Sequence, residues 1–175
     1  MTIEKMMGYL YDLPDQFERS LDMQFDFLNG YKREYTNLVV SGMGGSAIGG
    51  DILRTYSQKR ASLPIIVNRD YDVPGFISAG TLFFAISYSG NTEETLSSYE
   101  QAKDKGAAII CITSGGILAQ KASQDGYGVI KIPSGFVPRA ATGYLFAPMV
   151  LVLEKMGLLK GVKEEIQETV EVLRS

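Results

Sequence analysis

Between Ile86 and Thr95 the chain reads Ile-Ser-Tyr-Ser-Gly-Asn-Thr-Glu-Glu-Thr. Hydroxyls stand at Ser87, Ser89 and Thr92, Gly90 lies among them, and the turn contains no lysine. The apolar run Thr81 to Ala85 before it reads as a buried strand and Leu96 to Lys105 after it as a helix, so the stretch is a strand-to-helix loop. The first turn of such a helix leaves N–H groups unpaired and facing forward, with the positive end of the helix dipole behind them. Neutral hydroxyls and backbone amides arranged this way can surround a phosphate monoester without a full countercharge. The same residue types also build ordinary turns and caps, and Asn91 with Glu94 three positions on has the spacing of a capping box.

A second loop has related chemistry. Asn37 to Ser41 reads as a buried strand that runs into Gly42-Met-Gly-Gly-Ser-Ala-Ile-Gly-Gly-Asp, and Ser46 to Ser57 continues as a helix. Gly44 and Gly45 let the backbone approach a ligand closely, and Ser46 adds a hydroxyl. Read as G-x-G-x-x-A with Asp70 near the end of the next strand, the pattern also has the layout of a dinucleotide site. Two features count against that reading. The row of hydroxyls in the other loop has no role in a pyrophosphate fingerprint, and Gly49-Gly50 adds flexibility that helix packing does not require. A P-loop is excluded, because no Gly-Lys-Ser or Gly-Lys-Thr occurs.

The elements that must position these loops follow from periodicity. Leu63 to Asn68 is a second strand, Ala107 to Ile112 a fourth, and Val129 to Ile132 a fifth that Pro133 stops. Helices are predicted over Ile117 to Gln124 and Tyr144 to Met156. An amphipathic helix is predicted over Pro14 to Asn29, with Phe17, Leu21, Phe25 and Leu28 on one face. This alternation predicts an α/β domain: a doubly wound, five-stranded, mainly parallel sheet flanked by helices. Such sheets bind ligands beyond the C-terminal strand ends, where strand order reverses. Both glycine loops lie at C-terminal strand ends and are candidates to face one pocket.

Composition bounds the rest. A chain of 175 residues fits one domain with its own core. Lys and Arg number 17 against 20 Asp and Glu, and no basic block occurs, so nucleic acid is not an expected partner. Cys111, in an apolar run, is expected to be a core residue of a reduced cytosolic protein. The first residues contain no apolar block of signal-peptide length. Leu145 to Leu153 contains Pro148 and is too short to span a bilayer, so a soluble, cytoplasmic protein is expected. The chain has no histidine, which removes a Ser-His-Asp triad, a histidine acid or base and most zinc sites. Proton chemistry must therefore use carboxylates or groups from outside the chain.

Ser41 to Asp51, Ile86 to Thr95 and the later run Pro138-Arg-Ala-Ala-Thr-Gly together resemble the sugar isomerase (SIS) domain, in particular that of the bifunctional phosphoglucose/phosphomannose isomerases. The resemblance implies a flavodoxin-like three-layer sandwich. It also implies conversion of glucose 6-phosphate or mannose 6-phosphate to fructose 6-phosphate, without metal or redox cofactor. Ser46, Ser87, Ser89 and Thr92 would hold the substrate phosphate, supported by Gly44, Gly45 and Gly90. Arg139 would stabilise the enediolate, since a fixed guanidinium beside an oxygen gaining charge lowers the barrier. In the family a glutamate base and a histidine from the neighbouring subunit lie further along the chain, and neither is present here. Glu93 and Glu94 sit in a first helical turn, where a capping or dipole role is the simpler account.

The resemblance thus implies residues 1–159 as a sugar-phosphate-binding domain and 160–175 as the start of a helix leading to an absent second SIS domain. The face of Ile166, Val170 and Leu173 within Lys163 to Arg174 is expected to lack a partner. A homodimer is expected for the intact protein. The alternative is a non-catalytic SIS module that senses a sugar phosphate.

Overall fold

The computed structural model describes residues 2–175; Met1, where the expected domain begins, lies outside them. Helix α1 (Ile3–Tyr11) leads to α2 (Leu13–Leu21), followed by a 3₁₀ segment, Asp26–Tyr31. Strands and helices then alternate: β1 (Asn37–Gly42), α3 (Gly44–Ser57), β2 (Ile65–Asn68), β3 (Thr81–Ile86), α4 (Glu93–Asp104), β4 (Ala108–Thr113), α5 (Gly116–Gln124) and β5 (Gly128–Lys131). A 3₁₀ turn, Pro138–Ala140, precedes α6 (Thr142–Lys155) and α7 (Val162–Arg174). The strands lie in the order β2-β1-β3-β4-β5, and every pairing is parallel. The expected doubly wound α/β fold is thus present.

Every residue of β1, β3 and β4 is buried, as a strand covered on both faces requires. One face carries Leu38, Val40, Leu82, Phe84 and Ile110 against α3 and α6. The other carries Val39, Phe83, Ala85, Ile109 and Cys111 against Tyr99 and Ala102 of α4 and Leu118 of α5. Cys111 is therefore a core residue, and burial pushes its thiol pKa up. Helix α6 is apolar all round because it is the buried helix of the first face. No helix among the described residues is long and apolar enough to cross a membrane.

The helix expected over 14–29 is shorter than the periodicity suggested. It ends at Leu21, where the Asp22 and Met23 amides close back on Arg19 and Ser20. The apolar spacing continues across this break because Phe25 is needed elsewhere. It joins Tyr31 in the core, and the Tyr31 hydroxyl donates to Ile109 and accepts the Gly128 amide, tying the 3₁₀ segment to β4 and β5.

The face of α7 also departs from expectation. Ile166 and Val170 are buried against α2 and α6, and Glu165 accepts from Tyr56 and Arg60. This face already has its partner within the domain. Only Leu173, at 44% exposure, and Val172 stand out from it. Ile166→Val should therefore lower stability by about 1 kcal/mol, seen as a lower urea midpoint at unchanged slope. Leu173→Ala should change it by less than about 0.5 kcal/mol. Equal effects would mean that α7 does not pack in this way.

Candidate functional site

Strand order reverses between β1 and β3, since β2 lies outside β1 while the later strands continue beyond β3. Gly42 and Ile86 face each other at the C-terminal ends of these strands. The two glycine loops therefore leave the sheet side by side at the switch point. A direct bond joins them: the Tyr88 amide donates to Ser46 Oγ at 3.3 Å.

In the loop after β3, Ser87 is fully buried and works inward. Its Oγ lies 2.8 Å from Thr92 Oγ1 and accepts the Gly90 amide at 3.0 Å and the Thr92 amide at 3.4 Å. Ser89 stands exposed at the tip, its Oγ accepting the Asn91 amide. Thr92 is the N-cap of α4 but makes no side-chain cap bond, and the helix begins at Glu93, earlier than the apolar pattern suggested. The amides of Glu93, Glu94 and Thr95 thus have no partner within the helix and face forward. Met43, the N-cap of α3, likewise leaves that helix uncapped by any side chain, with Gly44 and Gly45 in its first turn. The N-termini of α3 and α4 thus lie side by side at the switch point, an arrangement that favours an anion.

The capping-box spacing of Asn91 and Glu94 serves another purpose. Asn91 Oδ1 accepts the Ile117 amide at 3.0 Å, so its side chain holds the start of α5. The loop after β4 interlocks here too. Gly90 (φ +73°) lies against the Gly115 carbonyl with no room for a β-carbon, and Leu118 donates to the Gly90 carbonyl. Glu93 accepts from Tyr71, an outer contact consistent with a dipole role at the first turn of α4.

Arg139 lies in the 3₁₀ turn Pro138–Ala140, exposed, and the structure brings this turn to the first glycine loop. A β-carbon on Gly45 would sit 2.7 Å from the Arg139 nitrogen and 2.8 Å from the Pro138 carbonyl carbon. Gly45 is thus the residue that lets the arginine turn seat on α3. Arg19, Arg54, Arg60, Arg69 and Arg174 pair with carboxylates, and Arg33 lies over the Tyr35 ring. Arg139 alone among the described arginines has neither kind of partner.

Gly49 and Gly50 correct the sequence reading, because helix packing does require them. A β-carbon on Gly49 would meet the Leu145 carbonyl oxygen at 2.8 Å, and one on Gly50 would meet Val40 Cγ1 at 2.8 Å. They let α3 lie close to α6 and the sheet. Their argument against a dinucleotide site therefore falls, and the hydroxyl loop carries that argument alone.

Sequence reasoning missed two residues. The Tyr88 hydroxyl bridges the Pro133 carbonyl and the Phe136 amide, and its backbone carbonyl accepts both the amide and the hydroxyl of Ser114. Gln16, fully buried on α2, bonds the backbone of Ala140 and Gly143. Tyr88 lies inside the recognised loop between two serines, and that position was the available signal. For Gln16 the signal was a glutamine between apolar helix positions. A cavity of 520 Å³ lined by Phe25, Tyr31, Tyr35 and Lys155 lies away from these loops and contains none of the site residues.

Fold and loops together define a doubly wound α/β domain with two glycine-hydroxyl loops side by side at its switch point. A family model for the SIS domain matches residues 33–127, and the chain belongs to that family. It is 47% identical over 169 residues to a bifunctional phosphoglucose/phosphomannose isomerase of Caldicellulosiruptor bescii, covering 96% of this chain and 50% of the relative. A protein of the same description from Aquifex aeolicus is 39% identical over 145 residues, covering 80% and 44% respectively. Among solved structures, the tagatose-6-phosphate ketose/aldose isomerase of Escherichia coli superimposes with a TM-score of 0.70 at 18% identity, covering 95% of this chain and 52% of that one. The chain spans half or less of the length of these curated relatives.

Proposed function

We propose that this chain is the sugar-phosphate-binding part of an aldose-ketose isomerase that converts glucose 6-phosphate or mannose 6-phosphate to fructose 6-phosphate through an enediolate. The observation that carries the reading is the junction of three segments at one switch point: the Ser46 turn, the Ser87–Thr92 loop and the Arg139 turn. The similarity to bifunctional isomerases over nearly all of this chain supports the substrate class.

In this reading the phosphate sits among the Ser46 and Ser89 hydroxyls, Thr92 and the first-turn amides of α3 and α4. Ser87 contributes by holding the loop in shape. The sugar then extends toward Arg139, whose guanidinium meets the oxygen that gains charge as a proton moves between C1 and C2. The base and the ring-opening acid come from outside this chain, and residues 1–159 are the binding unit. No cofactor is required, and the intact protein acts as a cytoplasmic homodimer.

Thermal stability tests the substrate class. Fructose 6-phosphate at about a hundred times its dissociation constant should add roughly 2.7 kcal/mol, and NAD at the same concentration should add nothing measurable. Stabilisation by NAD alone would overturn the proposal.

A further inference from the structure

The loop from Pro133 to Ala141, between β5 and α6, carries Arg139 and contains only the short 3₁₀ turn Pro138–Ala140 as regular structure. Its backbone is nevertheless fixed at both ends by side chains from distant parts of the chain. At the entry, the Tyr88 hydroxyl donates to the Pro133 carbonyl at 2.9 Å and accepts the Phe136 amide at 2.8 Å. At the exit, Gln16 Nε2 donates to the Ala140 carbonyl at 2.8 Å while its Oε1 accepts the Gly143 amide at 3.1 Å. Facing one carbonyl and one N–H, the Gln16 amide has only one satisfied orientation.

Both side chains are buried, at 7% exposure for Tyr88 and 0% for Gln16. Loss is costliest at the Gly143 amide, whose bond to Gln16 is buried, and the other three bonds are part-buried. Burial also pushes the Tyr88 phenol above its ordinary pKa, so it remains a neutral donor. Gly143 has no β-carbon where one would meet Gln16 Cβ at 2.6 Å, which lets the glutamine reach the backbone. Between the two ends, Arg139 rests on Gly45. A loop held at entry, middle and exit cannot shift its backbone at Arg139 without breaking one of these bonds.

We propose that Gln16 and Tyr88 are positioning residues that clamp the Arg139 loop and thereby set where its guanidinium meets the reacting end of the sugar. This rests on the functional reading of Arg139 given above. The clamp acts on the charged transition state more than on the phosphate, because Tyr88 holds the phosphate side only through its backbone. A hydroxyl or amide removed at the clamp should therefore leave phosphate anchorage intact and misplace the cation.

Calorimetric titration of this chain tests the clamp with two ligands. One is fructose 6-phosphate; the other is a phosphorylated aldonate one carbon shorter, whose carboxylate imitates the enediolate. The unmodified chain should prefer the aldonate, and Arg139→Ala should abolish that preference. Gln16→Met and Tyr88→Phe should each reduce it about tenfold or more, with fructose 6-phosphate affinity changed less than about threefold. In the Arg139→Ala background neither should have any further effect on the preference. Equal loss of both ligands, or an unchanged preference in Tyr88→Phe, overturns the clamp while leaving the reading of Arg139 standing. Tyr88→Phe deletes a single hydroxyl and keeps the test decisive if Gln16→Met fails to fold. Should Arg139→Ala keep the preference, or the unmodified chain bind neither ligand, the functional reading itself fails and the clamp fails with it.

Discussion

Arg139→Ala should lower the turnover of the intact isomerase by about a hundred- to a thousandfold while changing KM less than about threefold. The asymmetry follows from when the charge appears. A neutral sugar oxygen in the ground state gains little from a guanidinium, whereas the enediolate oxygen, carrying charge, gains much more. The structure makes Arg139 suitable for this. It is the arginine with no carboxylate or aromatic partner among the described residues, on a turn whose backbone is seated on Gly45. Arg139→Lys should recover only part of the loss, because an ammonium lacks the planar fork that meets an oxygen from a fixed direction. Steady-state kinetics with glucose 6-phosphate decides the matter. A raised KM with intact turnover would place Arg139 on the phosphate instead, as a source of uniform binding.

The parts of this site that were legible in the sequence are those whose signal is local. Strand, glycine turn and hydroxyl row follow one another within a few residues around Ser46 and again around Ser87, and the β/α alternation places both at one edge of the sheet. The arginine turn was legible as a motif, but its contact with Gly45 was not, because nothing in either segment encodes the meeting. The Gln16 contacts span 124 and 127 residues and join a side chain to backbone, which leaves no pattern of residue types to read. Gly49 and Gly50 misled for a related reason. A glycine required by the close approach of another chain segment looks the same in sequence as one that only loosens a helix. The α7 face misled because its partner, α2, is short, and the apolar spacing of α2 continues past its end into Phe25 and Leu28.

Neither loop of the proposed phosphate site contains a lysine, so the affinity proposed for it depends on where amides and hydroxyls point rather than on net charge. A binding group of that kind is only as good as the backbone that aims it. Charge reversal at the rim should matter less than a small displacement of either loop, since exposed charges are screened by salt while a misdirected amide is simply lost.

Gly90→Ala and Gly44→Ala put that dependence to the test. Both glycines have positive φ, +73° and +50°, so an L side chain at either position carries the left-handed strain of about 1–2 kcal/mol. They differ in room. Nothing lies within 4 Å of a β-carbon on Gly44, whereas one on Gly90 would overlap the Gly115 carbonyl and crowd Thr113 Oγ1 at 2.9 Å. The carbonyl is backbone and cannot swing aside, so the loops after β3 and β4 must separate, adding about 1–3 kcal/mol of overpacking. Gly90→Ala should therefore cost about 2–5 kcal/mol in total and abolish measurable fructose 6-phosphate binding. Its amide anchors on Ser87, and the shift carries Ser89 and the α4 N-terminus with it. Gly44→Ala should cost only about 1–2 kcal/mol and keep binding within about fivefold. Urea denaturation with calorimetric titration of both variants separates the outcomes. If Gly90→Ala folds normally and binds as well as Gly44→Ala, the interlocked loops are not what shapes the anion site.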